Sequence, residues 1–439
     1  MKSVTKTFLF VLVLLGVSCS DSVKDTVSYM ANVPVYMTKD EFKATTKVAA
    51  TRPLKNPGKI CLYGNYLFIN EVNEGVHVID NTDPSSPRNV AFIEIMGNID
   101  LAAKDGILYA DNLVDLLLFD ISNPGAPKLK SRIEGAFQGV LPAADNDYPV
   151  ISKIDFDGKV VVGWTQEMIT EDVQYYYPRY YYGLARAETA SSWSKNAVQP
   201  GAQITGVNGS MSRFAIAGEY LYTIHIGYLN YYPQPSYSSY YAEPTGYLKV
   251  FNIENKQINL VNVVSVNTTV ETLFAYKDHL FLGMSNGMNI YSIANPTSPN
   301  YISATWHFWG CDPVVVNDDY AYLTVRSTNV CGQNGNLLQV IDISDIIQPK
   351  VVSQYTMKEP YGLGIDDNKL FVCDKGLKVF DATIPSLVGN KLLFSTTDFM
   401  GFDLIPYNSL LLVIGGDGLY QYRYSDSQVV RLSVIPVAK

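Results

Sequence analysis

An active site in this chain would have to draw on four histidines, five cysteines and 42 carboxylates, so their spacing comes first. His77, His225, His279 and His307 are scattered, and His77 sits in an alternating apolar segment with no second ligand at metal spacing. The chain has no His-x-x-x-His, paired-cysteine or phosphate-loop pattern and no Gly-x-Ser-x-Gly elbow, so no metal, cofactor or catalytic nucleophile is expected. Carboxylate pairs suited to glycoside hydrolysis can be drawn anywhere from so large a set, and their presence carries no weight. One carboxylate recurs: Asp80, Asp120, Asp342 and Asp381 each stand two residues ahead of a Ser or Thr. An aspartate in that position accepts backbone hydrogen bonds in a turn, and this is its expected role. Among the cysteines, Cys311 and Cys331 fall in loops on one rim of a single repeat unit and could form a disulfide in an oxidising compartment. Cys61 and Cys373 lie on strands and read as buried thiols.

The elements that would hold these groups are strands. Hydrophobic residues make up 47% of the chain and charged residues 17%, and Tyr alone occurs 32 times, with no long stretch of helical period. Gly64-Asn65-Tyr66-Leu67-Phe68-Ile69, followed by Gly75-Val76-His77-Val78-Ile79-Asp80 and then Asp83-Pro84, is repeated around Asp105–Asn123 and in later copies. Asp80 and Asp120 are 40 residues apart, and Asp342 and Asp381 are 39. Each unit reads as a hairpin, a third strand with the Val-Ile-Asp core, a Pro-bearing turn and a fourth strand. A single four-stranded sheet cannot bury both faces, so the units must stack, and a closed ring removes the exposed ends. The fold class expected is therefore all-β, a single β-propeller of four-stranded blades. Seven units are clear and one is partial (Ile151 to Trp164), which predicts eight blades, with seven as the alternative.

Val76-His77-Val78-Ile79-Asp80 and Leu338-Gln339-Val340-Ile341-Asp342 resemble the consensus of the LVIVD-repeat family. The resemblance covers most of residues 58 to 437 and implies a β-propeller on an exported bacterial protein. It implies little about function, because a structural repeat defines the family. Ring closure has two readings. Lys47-Val48-Ala49-Ala50 could pair with the last blade, or Val429 to Val437 could complete that blade alone.

The first 19 residues read as a targeting segment: Lys2 and Lys6, then the apolar run Phe8 to Leu15, which is too short to span a bilayer. Leu15-Gly16-Val17-Ser18-Cys19 resembles a bacterial lipoprotein signal, which implies acylation of Cys19 and a membrane contact through the N-terminal lipid. Ordinary cleavage after Ser18 is the alternative. Asp21-Ser22-Val23-Lys24-Asp25 resembles the acidic stretch of Bacteroidetes surface lipoproteins, so an outer-membrane location is expected, facing either the periplasm or the cell surface. Residues 20–46 read as a polar tether with a short helix at Thr38 to Lys43, and 47–439 as the propeller, with Tyr-rich inserts at 167–200 and 227–247. The net charge of −9 argues against a nucleic-acid partner.

In a four-stranded blade, the loop after the second strand and the loop leading into the first share a rim. Both Tyr clusters and the run Trp306 to Gly310 fall in such loops. Trp164, Tyr176, Tyr181, Tyr232, Tyr240, Trp306 and Trp309 are therefore expected to crown one end as a binding rim. The bland reading is that these loops pack on one another and cap the funnel. Aligning the units also places Lys59, Asp100, Ser152, Arg213, Thr272, Pro313, Gly362 and Asp403 at the channel mouth, with Glu271 and Asp312 one residue earlier. They would either receive a ligand there or pair with one another. The function these features predict is a non-enzymatic binding or scaffold module for a glycan or an envelope protein. The alternatives are a polysaccharide-acting propeller enzyme and a structural subunit of an outer-membrane complex.

Overall fold

The computed structural model describes residues 26–151, 154–172, 205–227, 245–267, 270–307, 310, 313–327 and 335–438. Among them, antiparallel four-stranded sheets cover 57–94, 101–133, 214–266, 270–306, 314–356, 360–396 and 401–436, numbered here as blades 1 to 7. Each packs its innermost strand beside the next around a common axis, and blade 7 meets blade 1. The fold is the single all-β propeller expected, with seven blades rather than eight.

Blade 1 shows why the sequence folds this way. Pro57–Tyr63 lies innermost, Tyr66–Glu71 returns, Gly75–Asp80 follows and Arg88–Glu94 is outermost. Gly64 sits at φ +57 in the two-residue turn that joins the first pair. At Gly75, with φ +142, a Cβ would stand 1.9 Å from the Ile93 carbonyl oxygen of the fourth strand. Gly287, Gly376 and Gly418 open the third strands of blades 4, 6 and 7 with the same contact to the fourth strand. Every blade also has a register shift between its third and fourth strands, as at Val78/Ile79 and Val340/Ile341, which increases the twist of the outer strand. Side chains such as Phe68, Val78, Leu108 and Phe119 are fully buried between neighbouring blades. The recurrent aspartates act as turn formers: Asp80, Asp120, Asp342 and Asp381 each accept the backbone N–H two residues on.

The unit expected to be an eighth blade is something else. Its strand, Lys159–Asp172, pairs antiparallel with Thr26–Thr38 along its whole length, from Lys159↔Thr38 to Asp172↔Thr26. Two segments of similar length satisfy one another's backbone ladder here, so the unit needs no sheet of its own. The stretch read as a polar tether thus carries a strand, followed by helix α1 (Lys39–Ala44). Thr38 and Glu41 form a capping box at its N-terminus. Phe42 of α1 and Val160 of the ribbon bury against Leu113, which holds this assembly on the rim of blade 2.

The C-terminal strand Val429–Pro436 completes blade 7 from its own unit. Lys47–Ala49 instead extends the outer edge of blade 1, with Lys47 opposite Glu94. Closure is made by Leu54, which bridges Val437 and accepts the Ala438 N–H at 2.8 Å, and by Gln421, which donates to Asn81 at 2.7 Å.

Candidate functional site at the channel mouth

The axis of the ring is not an open channel. Residues 205–212 run through it from one face to the other. Thr205 bridges Lys104 at the far end of an inner strand, Val207 and Asn208 pair with Leu62 and Cys61, and Ser212 reaches Asp100 at the mouth. Small side chains let the segment fit. A Cβ on Gly206 would lie 2.7 Å from Cys61 Sγ, and one on Gly209 would lie 2.1 Å from Asp403 Oδ2. Gly209→Ala is therefore expected to destabilise the protein by about 1–3 kcal/mol, the usual cost of forcing bulk into a packed site. An unchanged denaturant midpoint would show that the segment is not seated there.

Two of the aligned polar residues, Asp100 and Asp403, bond directly to the plug. Asp403 is fully buried and accepts the Ser210 N–H at 3.0 Å and the Ser210 hydroxyl at 3.2 Å. Asp100 accepts from Lys59 Nζ at 2.8 Å, from Ser212 Oγ at 2.9 Å and from the backbone N–H groups of Leu101 and Arg213. Burial pushes the Lys59 ammonium down from its ordinary range, and nearby Arg213 pushes the same way; Asp100 opposes both. Gly362 presses against Asp403, and Thr272 is buried. Glu271 is half-buried at the head of the inner strand of blade 4. Asp312 and Ser152 lie outside the described residues. Lys59, Asp100 and Asp403 are engaged within the chain, the two aspartates through a segment the alignment had not placed there.

Beside the plug, between blades 2 and 3, lies a cavity of about 70 Å³ lined by Asp100, Asp111, Phe137, Leu141, Arg213 and His225, among others. Asp111 Oδ1 accepts from Asn98 Nδ2 and from the Ile99 and Asp100 N–H groups at 2.7–2.8 Å. Burial nevertheless pushes its carboxyl up to about 6. His225 stacks on Tyr247 and meets the edge of Phe137, and neither ring nitrogen has a hydrogen-bond partner. Burial pushes its imidazole down to about 3, helped by the charges of Lys249 and Arg213, so the ring is neutral at physiological pH. By contrast His77, equally buried, is fully satisfied by Glu71 at 2.8 Å and Asn89 at 3.2 Å.

The residues expected to form an aromatic rim fare unevenly. Trp306 ends the outer strand of blade 4 and is 68% exposed on the rim. Trp164 is partly buried; its indole donates to the Pro142 carbonyl at 2.9 Å and packs in a small core with Leu141, Val150 and Val161. Tyr176, Tyr181, Tyr232, Tyr240 and Trp309 lie outside the described residues, as do Cys19, Cys311 and Cys331. The chain carrying the first Tyr cluster resumes at Thr205 on the opposite face, so the two inserts do not share both of their ends on one rim. Cys61 and Cys373 are buried free thiols, as expected. Among the described residues, no group of three or more His, Cys, Asp or Glu side chains is placed to hold a metal ion.

Sequence reasoning missed the plug and His225. The run Thr205-Gly206-Val207-Asn208-Gly209-Ser210 carried a signal, since so little bulk suits a narrow axial space. His225 carried none, because its isolation arises only from the fold.

Comparison with known proteins agrees with the architecture. The LVIVD repeat family matches residues 57–92 and 100–134, which are blades 1 and 2. The chain is a β-propeller whose first two blades match the LVIVD repeat. No curated protein matches it. Among solved structures, the chain is similar to a 6-phosphogluconolactonase-like protein from Bacteroides fragilis at 10% identity and TM-score 0.50, over 87% of this chain and 96% of that one. It also matches the dihydro-heme d1 dehydrogenase NirN at 10% identity and TM-score 0.44, over 88% of this chain and 66% of that one. A Lactobacillus plantarum protein matches at 12% identity and TM-score 0.36, over 56% and 81%. At these identities the likeness concerns the fold alone.

Proposed function

We propose that this propeller is a non-enzymatic binding module, tethered to the outer membrane through a lipid on Cys19, that holds a ligand or partner on one rim. The observation that carries the reading is the asymmetry of its connections. On one face, every turn between first and second strands has two residues, as at Gly64-Asn65, Asp105-Gly106 and Asn408-Ser409. On the other, connections 228–244 and 307–313 are long, connection 134–213 begins and ends there, and exposed Trp306 stands among them. Long loops on a rigid scaffold usually carry function, and one decorated face suits capture of a glycan or an envelope protein. The enzyme reading is disfavoured on chemical grounds. Asp100 and Asp403, the carboxylates it would use, are spent on the plug and Lys59 and are almost wholly buried.

Replacing 228–244 with a two-residue Asn-Gly turn tests the proposal. Crosslinking in intact cells should then recover no glycan or protein that the parent chain recovers, while thermal unfolding stays unchanged. Equal recovery by the shortened chain would count against it.

A further inference from the structure

We propose that the cavity between blades 2 and 3 is a carboxylate-binding site, in which Arg213 and His225 receive the acidic group of a small organic acid or an acidic sugar. The inference rests on the binding-module reading and names the ligand chemistry of the same face.

The argument is an account of which polar atoms remain unspent. Asp100 already accepts from Lys59, Ser212 and two backbone N–H groups, and Asp111 accepts three N–H groups through one oxygen. Three of the four carboxylate oxygens in the cavity wall are therefore occupied. The donors are not. Arg213 has no ion pair among the described residues, and its charge acts on both Lys59 and His225. His225 is 7% exposed, lines the cavity, and leaves both ring nitrogens unbonded. A buried imidazole without partners forfeits hydrogen bonds to water, a cost that native proteins rarely leave standing. A cation beside His225 meets a positive field from Lys249 and Arg213. A dianionic phosphate would face Asp100 and Asp111 in a space of about 70 Å³. A singly charged, planar carboxylate fits the guanidinium fork and leaves one oxygen for the imidazole N–H. Phe137 and Leu141 offer an apolar wall to its carbon frame. The cavity also adjoins Ile226, one residue from the end of the strand that leads into the 228–244 insert, so a bound acid would sit at the root of the decorated rim.

The test is titration of the full chain with sodium acetate and, separately, sodium glucuronate at constant ionic strength, read by the ring ¹⁵N shifts of His225. Binding should move the His225 signals while those of His77, which is fully bonded, stay in place. A response to both acids marks a general carboxylate site, and one to glucuronate alone marks an acidic-sugar site. Arg213→Gln should weaken binding by roughly tenfold or more, the loss expected for one charge-assisted hydrogen bond. His225→Phe, which keeps the ring packing, should weaken it as well when binding is followed by calorimetry. No movement of the His225 signals across the millimolar range with either acid would overturn the proposal, as would undiminished binding by Arg213→Gln. The chain shortened at 228–244 should still bind acetate or glucuronate, so loss of partner capture and loss of carboxylate binding are separable results.

Discussion

Lys59→Met is expected to lower the stability of the propeller by about 3–5 kcal/mol, the usual consequence of removing one partner from a buried ion pair. The pair Lys59–Asp100 is 2.8 Å long, and both side chains are less than 5% exposed. Methionine matches the stem of the lysine, so little packing is lost; what changes is that Asp100 remains charged without its cation. Its remaining donors, the N–H groups of Leu101 and Arg213 and the Ser212 hydroxyl, tie the 212–213 segment to the head of the inner strand of blade 2. Loosening that carboxylate should loosen the upper end of the plug. The check is a urea midpoint for the single variants and for Lys59→Met with Asp100→Asn. The double variant removes both charges and should recover part of the loss. A single variant as stable as the parent would mean that the pair contributes nothing to holding the axis.

Two groups around the cavity should make stability depend on pH in opposite senses. His225 falls from 6.5 to about 3 on folding, so between those values the unfolded chain holds the extra proton. Its contribution is complete above pH 6.5 and is lost as pH falls, by about 2 kcal/mol at pH 5. Asp111 rises from 3.8 to about 6, so in that window the folded chain holds the extra proton and acid favours folding. The two largely offset one another near pH 5, and the parent curve should be shallow. His225→Phe should remove the acid loss, gaining on the parent by about 2 kcal/mol between pH 7 and pH 5. Asp111→Asn should expose that loss and fall more steeply than the parent. Denaturant midpoints at the two pH values decide the matter, and parallel curves for parent and His225→Phe would refute the assignment.

The blades were legible because they are local. A two-residue turn, a glycine that lets the third strand approach the fourth, and an aspartate that closes the next turn all act within about 40 residues, so they recur visibly in the chain. The same locality lets an alignment of the units set Lys59, Asp100, Arg213 and Asp403 at the heads of their inner strands. The eighth blade was misread because Lys159–Asp172 has the composition of a propeller strand. Composition does not say which strand will pair with it, and Thr26–Thr38, more than a hundred residues away, was its partner.

By itself, the sequence determined that this chain is an all-β wheel of stacked repeats, since each unit carries its own turn chemistry and an apolar pattern that only a like neighbour can bury. Only the tertiary structure decided the number of blades, the threading of 205–212 through the axis, and the solitude of His225. Those depend on which distant segments meet. A polar atom is satisfied or stranded by neighbours that share no local pattern with it, so no inspection of spacing along the chain could have found them.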